Sequence, residues 1–243
     1  MAKKMKVHGG CAAAMECLSK TTKEMHGKEV WKAIFKSMPT PMDDWTPQQL
    51  SDYTREIEKK YLAIASREQY ECAQKCGNPW VREYKESERK HLSLEEIDAL
   101  IANENARILE VLRKHHASGE LFYSHLITDA VMADYESGRY SARREGRKIL
   151  LFQIPHMWDE YLSETNPAMK RYCFCHCCWA KESILTDKPV SPSLCYCSLG
   201  HSKRWLDDAL GRQLDGRVLC SVLDGCSTRC NFEVHIPDDV MEK

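Results

Sequence analysis

Two stretches near the end of the chain decide its fold class: Leu214-Asp215-Gly216-Arg217-Val218-Leu219-Cys220-Ser221-Val222 and Cys230-Asn231-Phe232-Glu233-Val234-His235-Ile236. In the second, Cys230, Phe232, Val234 and Ile236 alternate with Asn231, Glu233 and His235. Successive side chains of a strand point to opposite faces, so the alternation predicts one buried face and one polar face. In the first stretch Leu214, Val218, Cys220 and Val222 share a face. A loop around Asp224-Gly225 joins the two into an antiparallel hairpin, with Cys220 and Cys230 on its buried side. Further back, Lys148–Ile154 (KILLFQI) is a short apolar run before Pro155 and reads as a strand or a buried helix start.

Upstream of these strands the pattern is helical. Ala12 to about Ser37 reads as helix despite mixed apolar spacing, with Gly27 as a point where it can split in two. The Pro39–Asp44 segment is a turn or linker. Thr46-Pro47 opens the next helix with a capping residue and a proline whose missing N–H costs nothing there. Leu50, Tyr53, Ile57, Tyr61 and Ile64 continue it, and Cys72 and Cys76 fall near its expected end at Gly77 and Pro79. Ser93 with Glu96 forms a capping box for a helix that Gly119 stops. A shorter helix is expected over Leu121–Tyr135, ending at Gly138, partial helix within Pro167–Leu185, and another over His201–Leu210 with Gly211 at its C-cap. The expected fold is therefore α+β: a helical region, residues 1–119, packed on a C-terminal domain, residues 120–243, with an antiparallel sheet and helices.

The balance of 35 Lys and Arg against 36 Asp and Glu gives a formal charge of −1, which argues against nucleic acid or an anionic membrane as an obligatory partner. No apolar run approaches the roughly 18 residues of a membrane helix. The basic start Met1–Val7 is followed by Gly9-Gly10 rather than an apolar stretch, so no secretory signal is expected, and the expected location is cytoplasmic.

Cysteine is the anomaly. Nine of the 13 cysteines lie between Cys173 and Cys230, while Gly77–Arg171 has none, so one region carries the signal. Without a secretory signal, metal binding or thiol chemistry is favoured over a disulfide framework. The clusters are Cys173-Phe174-Cys175-His176-Cys177-Cys178-Trp179 and Cys195-Tyr196-Cys197. Cys175 and Cys178 have C-x-x-C spacing, which lets two thiolates bind one ion from a tight turn. Cys195 and Cys197 share a face if that segment is extended, and the 16 residues between the clusters let the chain fold back. The expected metal ligands are Cys175, Cys178, Cys195 and Cys197, with Cys173 and Cys177 able to replace their neighbours. Zinc is the expected ion, and an iron–sulfur cluster uses the same ligand type. A redox-active Cys175/Cys178 dithiol and ligation by His176 or His201 are lesser readings. Cys11, Cys17 and Cys72 read as small packed hydrophobes.

Other catalytic signatures are missing: no H-E-x-x-H, G-x-S-x-G or Walker sequence occurs. The pairs Asp207-Asp208 and Asp238-Asp239 read as solvated surface charge. Phe122, Tyr123, Tyr135, Phe152, Trp158, Tyr161 and Trp179 read as core, with an apolar pocket as the alternative.

The run Cys195-Tyr196-Cys197-Ser198-Leu199-Gly200-His201, then Leu210-Gly211-Arg212, Val218–Gly225 and Cys230-Asn231-Phe232-Glu233-Val234 resembles the end of the 4-vinyl reductase-like small-molecule-binding domains, over residues 195–237. The resemblance implies an α+β domain around a hydrophobic cavity, non-enzymatic roles and a zinc site. Its ligand positions fall at Cys195, Val218, Cys220 and Cys230. Val218 cannot bind metal, so Cys197, Cys226 or the Cys173–Cys178 group would have to supply the missing ligand. The leading expectation is a metal-binding, zinc-containing protein that binds or senses a small apolar molecule, with homo-oligomerisation left open. The alternatives are a thiol-dependent hydrolase, an iron–sulfur oxidoreductase, and a structural or interaction protein with packed free cysteines.

Overall fold

The computed structural model describes residues 9–42, 44–123 and 125–241, with side chains from residue 13 onward. The basic start Met1–Val7 and the side chain of Cys11 lie outside the described residues. In chain order the elements are α1 (Gly9–Phe35), α2 (Pro47–Leu62), α3 (Arg67–Cys76), α4 (Leu94–Ser118), α5 (Asp129–Glu136), β1 (Arg143–Glu145), β2 (Lys148–Phe152), α6 (Trp158–Ser163), α7 (Pro167–Phe174), α8 (Tyr196–Ser202), α9 (Arg204–Leu210), β3 (Gly216–Cys220) and β4 (Asn231–His235). Short 3-10 turns occupy Glu86–Glu88, Lys181–Leu185 and Pro192–Cys195. The fold is α+β, with one four-stranded antiparallel sheet among the described residues. None of the described helices is long and apolar enough to cross a membrane.

The chain divides into two compact units that are discontinuous in sequence. One comprises residues 1–82, 176–201 and 223–225, the other residues 83–175, 202–222 and 226–243. The division does not fall at Gly119. The buried face of α4, with Ile97, Ile101 and Leu112, packs with α5 and β1, so α4 belongs with the sheet rather than with the helices before it.

In the first unit α1, α2 and α3 pack on one another around Leu18, Ile34, Leu50, Ile57, Tyr61, Tyr70 and Ala73, all buried. Gly27, at φ 84, kinks α1 as its position in the sequence suggests. The long helix expected from Thr46 to Cys76 is in fact two. Ser66 accepts a hydrogen bond from the Gln69 N–H, and Gln69 Oε1 accepts from the Ser66 N–H at 2.8 Å; this second capping box restarts the chain as α3. Glycine is required at the contact between α8 and the end of α3: a Cβ on Gly200 would lie 2.1 Å from the Lys75 carbonyl oxygen and 2.5 Å from Asn78 Nδ2. Asn78 Nδ2 also donates to the Lys75 carbonyl (3.1 Å) and to the Cys197 carbonyl (3.4 Å), tying the start of α8 to the end of α3.

In the second unit the strand order is β1-β2-β4-β3, each neighbouring pair antiparallel. The expected final hairpin is present, and its apolar face is buried through Phe232, Val234 and Ile236, with Ile149 and Leu151 of β2 beside them. A register shift between Val218 and Cys220 leaves Cys220 half-buried rather than in the core, while Cys230 is buried. The helix expected over Leu121–Tyr135 is shorter: it starts only at Asp129, where the Thr128 hydroxyl accepts from the Val131 N–H. Tyr135, Trp158 and Tyr161 are core residues, whereas Tyr123 is exposed with φ 54. The short strand β1 carries no apolar alternation and was not foreseen.

Glu233 departs from the expected polar face, being 5% exposed. Burial acts to raise its pKa, but hydrogen bonds from His235, Arg217 and Lys148 outweigh that and hold the carboxyl at about 2. A carboxylate held below its unfolded value contributes stability above the unfolded pKa and loses it as the proton is forced on. The stability advantage of the natural chain over Glu233→Gln is therefore expected to be full above pH 4.5 and to vanish as pH falls toward 2, measured by denaturant unfolding across that range. Gly200→Ala is expected to destabilise the first unit by about 1–3 kcal/mol, since the added methyl meets backbone that cannot yield as a flexible side chain would.

Candidate metal centre

The first unit contains a cavity of about 40 Å³ lined by Ala14, Met15, Gln74, Cys177, Trp179, Leu194, Cys195, Cys197, Ser198 and Leu223. Helix α1 supplies Ala14 and Met15 and α3 supplies Gln74. The turn Pro192–Cys195 and the start of α8 supply Cys195 and Cys197. Cys177 arrives on the irregular segment after α7, where its carbonyl accepts from the Ala180 N–H at 3.2 Å and the Lys181 N–H at 2.8 Å. Gln74 is held by donating to the Tyr70 hydroxyl at 2.8 Å.

The four expected ligands separate in the structure. Cys195 and Cys197 line this cavity together, but from a helical turn and a helix rather than from one face of a strand. Cys178 is buried and disulfide-bonded, so its sulfur is not a thiolate here. Cys175 is the C-cap of α7 in the second unit, its N–H donating to the Arg171 and Tyr172 carbonyls, and it does not line the cavity. Cys177, the replacement that the sequence left open, lines it instead. His176 and His201 are exposed and outside the lining, His201 lying with its ring 4.8 Å from that of Trp80. Cys220 and Cys230, the positions implied by resemblance, belong to the second unit. There the Cys220 thiol donates to the Arg229 carbonyl (3.6 Å) and the Cys230 sulfur accepts from the Val222 N–H (3.4 Å). Gln74, Met15 and Leu223 carry no sequence signal for a site; only their place in the fold brings them to the cavity.

The donor set suits a thiophilic ion. Three cysteines and Met15 are among the lining residues, and no Lys, Arg or His is. The volume is several times the roughly 10–15 Å³ needed by a water molecule, and far below the roughly 300 Å³ of an organic-ligand pocket. Among the described residues, no group of three or more His, Cys, Asp or Glu side chains already stands in position to hold a metal ion. Burial, followed by the neighbouring thiols of Cys195 and Cys17, pushes the Cys197 thiol up to about 12, so that sulfur stays protonated without an ion.

No protein-family model matches this chain. No curated protein and no solved structure matches it either.

In metal-free protein at pH 8, alkylation followed by mass spectrometry is expected to label the exposed Cys226 well before Cys197, because only the thiolate reacts and Cys197 titrates near 12. Equal labelling of the two in folded protein would contradict the raised pKa of Cys197.

Proposed function

We propose that the chain is a cytoplasmic metal-binding protein whose first unit takes up one thiophilic divalent ion, zinc, through Cys177, Cys195 and Cys197. One observation carries the reading: cysteines from two separate segments line a single cavity of ion size. When bound, zinc would supply a positive charge that replaces thiol protons and cross-links the segments, so its binding free energy adds to folding. The three thiols must draw in on the ion and release their protons, which makes uptake weaken as pH falls. Eleven free thiols among the described cysteines suit a reducing compartment. The resemblance of residues 195–237 extends the reading to sensing of a small apolar molecule. A cavity of about 40 Å³ does not admit such a molecule, so that role would need another surface.

The test is elemental analysis of anaerobically purified protein, paired with an absorption spectrum. About one equivalent of zinc in colourless protein supports the reading. Cys195→Ser and Cys197→Ser are each expected to lose most of the zinc, while Cys72→Ser on α3 keeps it. Iron with visible charge-transfer absorption would replace zinc by an iron–sulfur centre. Full thiol titration with no metal would reduce the cluster to packed free cysteines.

A further inference from the structure

Between α4 and α5 the chain doubles back on itself: the Phe122 N–H donates to the His125 carbonyl at 2.9 Å, and the His125 N–H to the Phe122 carbonyl at 3.2 Å. Tyr123 sits inside this turn at φ 54, a region that L side chains adopt only at a cost. Leu121, Tyr123 and Leu126 are exposed, whereas His125 is buried, with only 8% of its surface exposed. Its ring lies 6.0 Å from that of Phe122, which in turn lies 5.4 Å from the ring of His115 on α4. Among the described residues neither ring nitrogen of His125, Nδ1 or Nε2, has a hydrogen-bond partner.

We propose that protonation of His125 opens this turn and brings Phe122 out beside the exposed Leu121, Tyr123 and Leu126, which makes the segment a pH-responsive device. The inference concerns the second unit and is independent of the metal reading. A neutral imidazole carries one N–H, and burying it without a partner is already unfavourable. The imidazolium carries two and a full charge, which the buried position cannot hold. Burial accordingly pushes the His125 pKa below its ordinary 6.5, against a weaker upward pull from Glu160 and then Asp159 of α6. Both acids are exposed, so a ring that leaves the interior meets negative charge at the surface. Of the other titratable groups nearby, His115 of α4 lies against Phe122, and His116 is bonded to Asp129 of α5 at 2.9 Å. The closed turn binds fewer protons than the open one, so closure is full above pH 6.5 and weakens as the pH falls below it. The closed-to-open ratio then drops by up to about tenfold per pH unit, until the buried ring itself takes the proton.

The experiment follows hydrogen exchange of the Phe122 and His125 amides by NMR in the full-length chain at pH 5 and pH 7.5, each rate divided by the intrinsic rate at that pH. Ring-proton spectra of the same samples across the range give the titration midpoint of His125. Opening is expected to be at least about fivefold more frequent at pH 5 than at pH 7.5. The His125 midpoint is expected below 6.5. His125→Phe fills the space with a ring that takes no proton, and is expected to protect both amides equally at the two pH values. His116→Gln is expected to keep the response of the natural chain. Equal protection of the natural chain at both pH values overturns the proposal, as does a His125 midpoint at or above 6.5. A response that persists in His125→Phe, or that His116→Gln abolishes, also overturns it. Should His125→Phe fail to fold, the midpoint and the two amides of the natural chain decide the question.

Discussion

At Gly200 the backbone of α8 comes so near the last carbonyls of α3 that a methyl group has no room beside the Lys75 oxygen. That approach lets Asn78 bind the Lys75 and Cys197 carbonyls together, and so fixes where Cys195 and Cys197 lie relative to α1 and α3. The cavity walls come from those same elements. Hydrogen bonds from Arg67 to the Ser193 hydroxyl and from that hydroxyl to Glu71 join the Pro192–Cys195 turn to α3 as well. The site is thus a property of backbone proximity, which a residue without a Cβ makes possible.

The Cys197 thiol is held in its neutral form. Burial keeps the proton on Cys197, and neighbouring sulfurs reinforce it, since a second thiolate nearby would repel the first. An ion that brings positive charge reverses both effects at once: it offsets the desolvation of each thiolate and converts their mutual repulsion into shared coordination. The acid–base pattern of the second unit differs, with Glu233 kept ionised by Arg217, Lys148 and His235 without need of an ion.

Local rules carried much of the fold. Thr46-Pro47, Ser93 with Glu96, Gly27, Gly119 and Gly211 each mark a helix start, kink or stop where the structure has one. The final hairpin follows from alternation alone. Misreadings arose where two local signals competed. Ser66 and Gln69 lie inside an otherwise continuous apolar pattern, and their capping box prevailed over it. β1 pairs through its backbone with β2 while its side chains, Arg143, Arg144 and Glu145, carry no apolar stripe to reveal it.

The sequence by itself determined that the chain mixes helices with an antiparallel sheet, and that cysteines cluster on either side of residues 179–194. Only the tertiary structure decided which sulfurs meet. Cys175, Cys177 and Cys178, on a segment with no regular period after α7, offer no rule for which side chains turn inward. Cys177 reached the cavity, Cys178 a disulfide and Cys175 a helix cap in the other unit. Periodicity assigns faces only where the backbone is regular; elsewhere the direction of a side chain is settled by what the rest of the molecule packs against it.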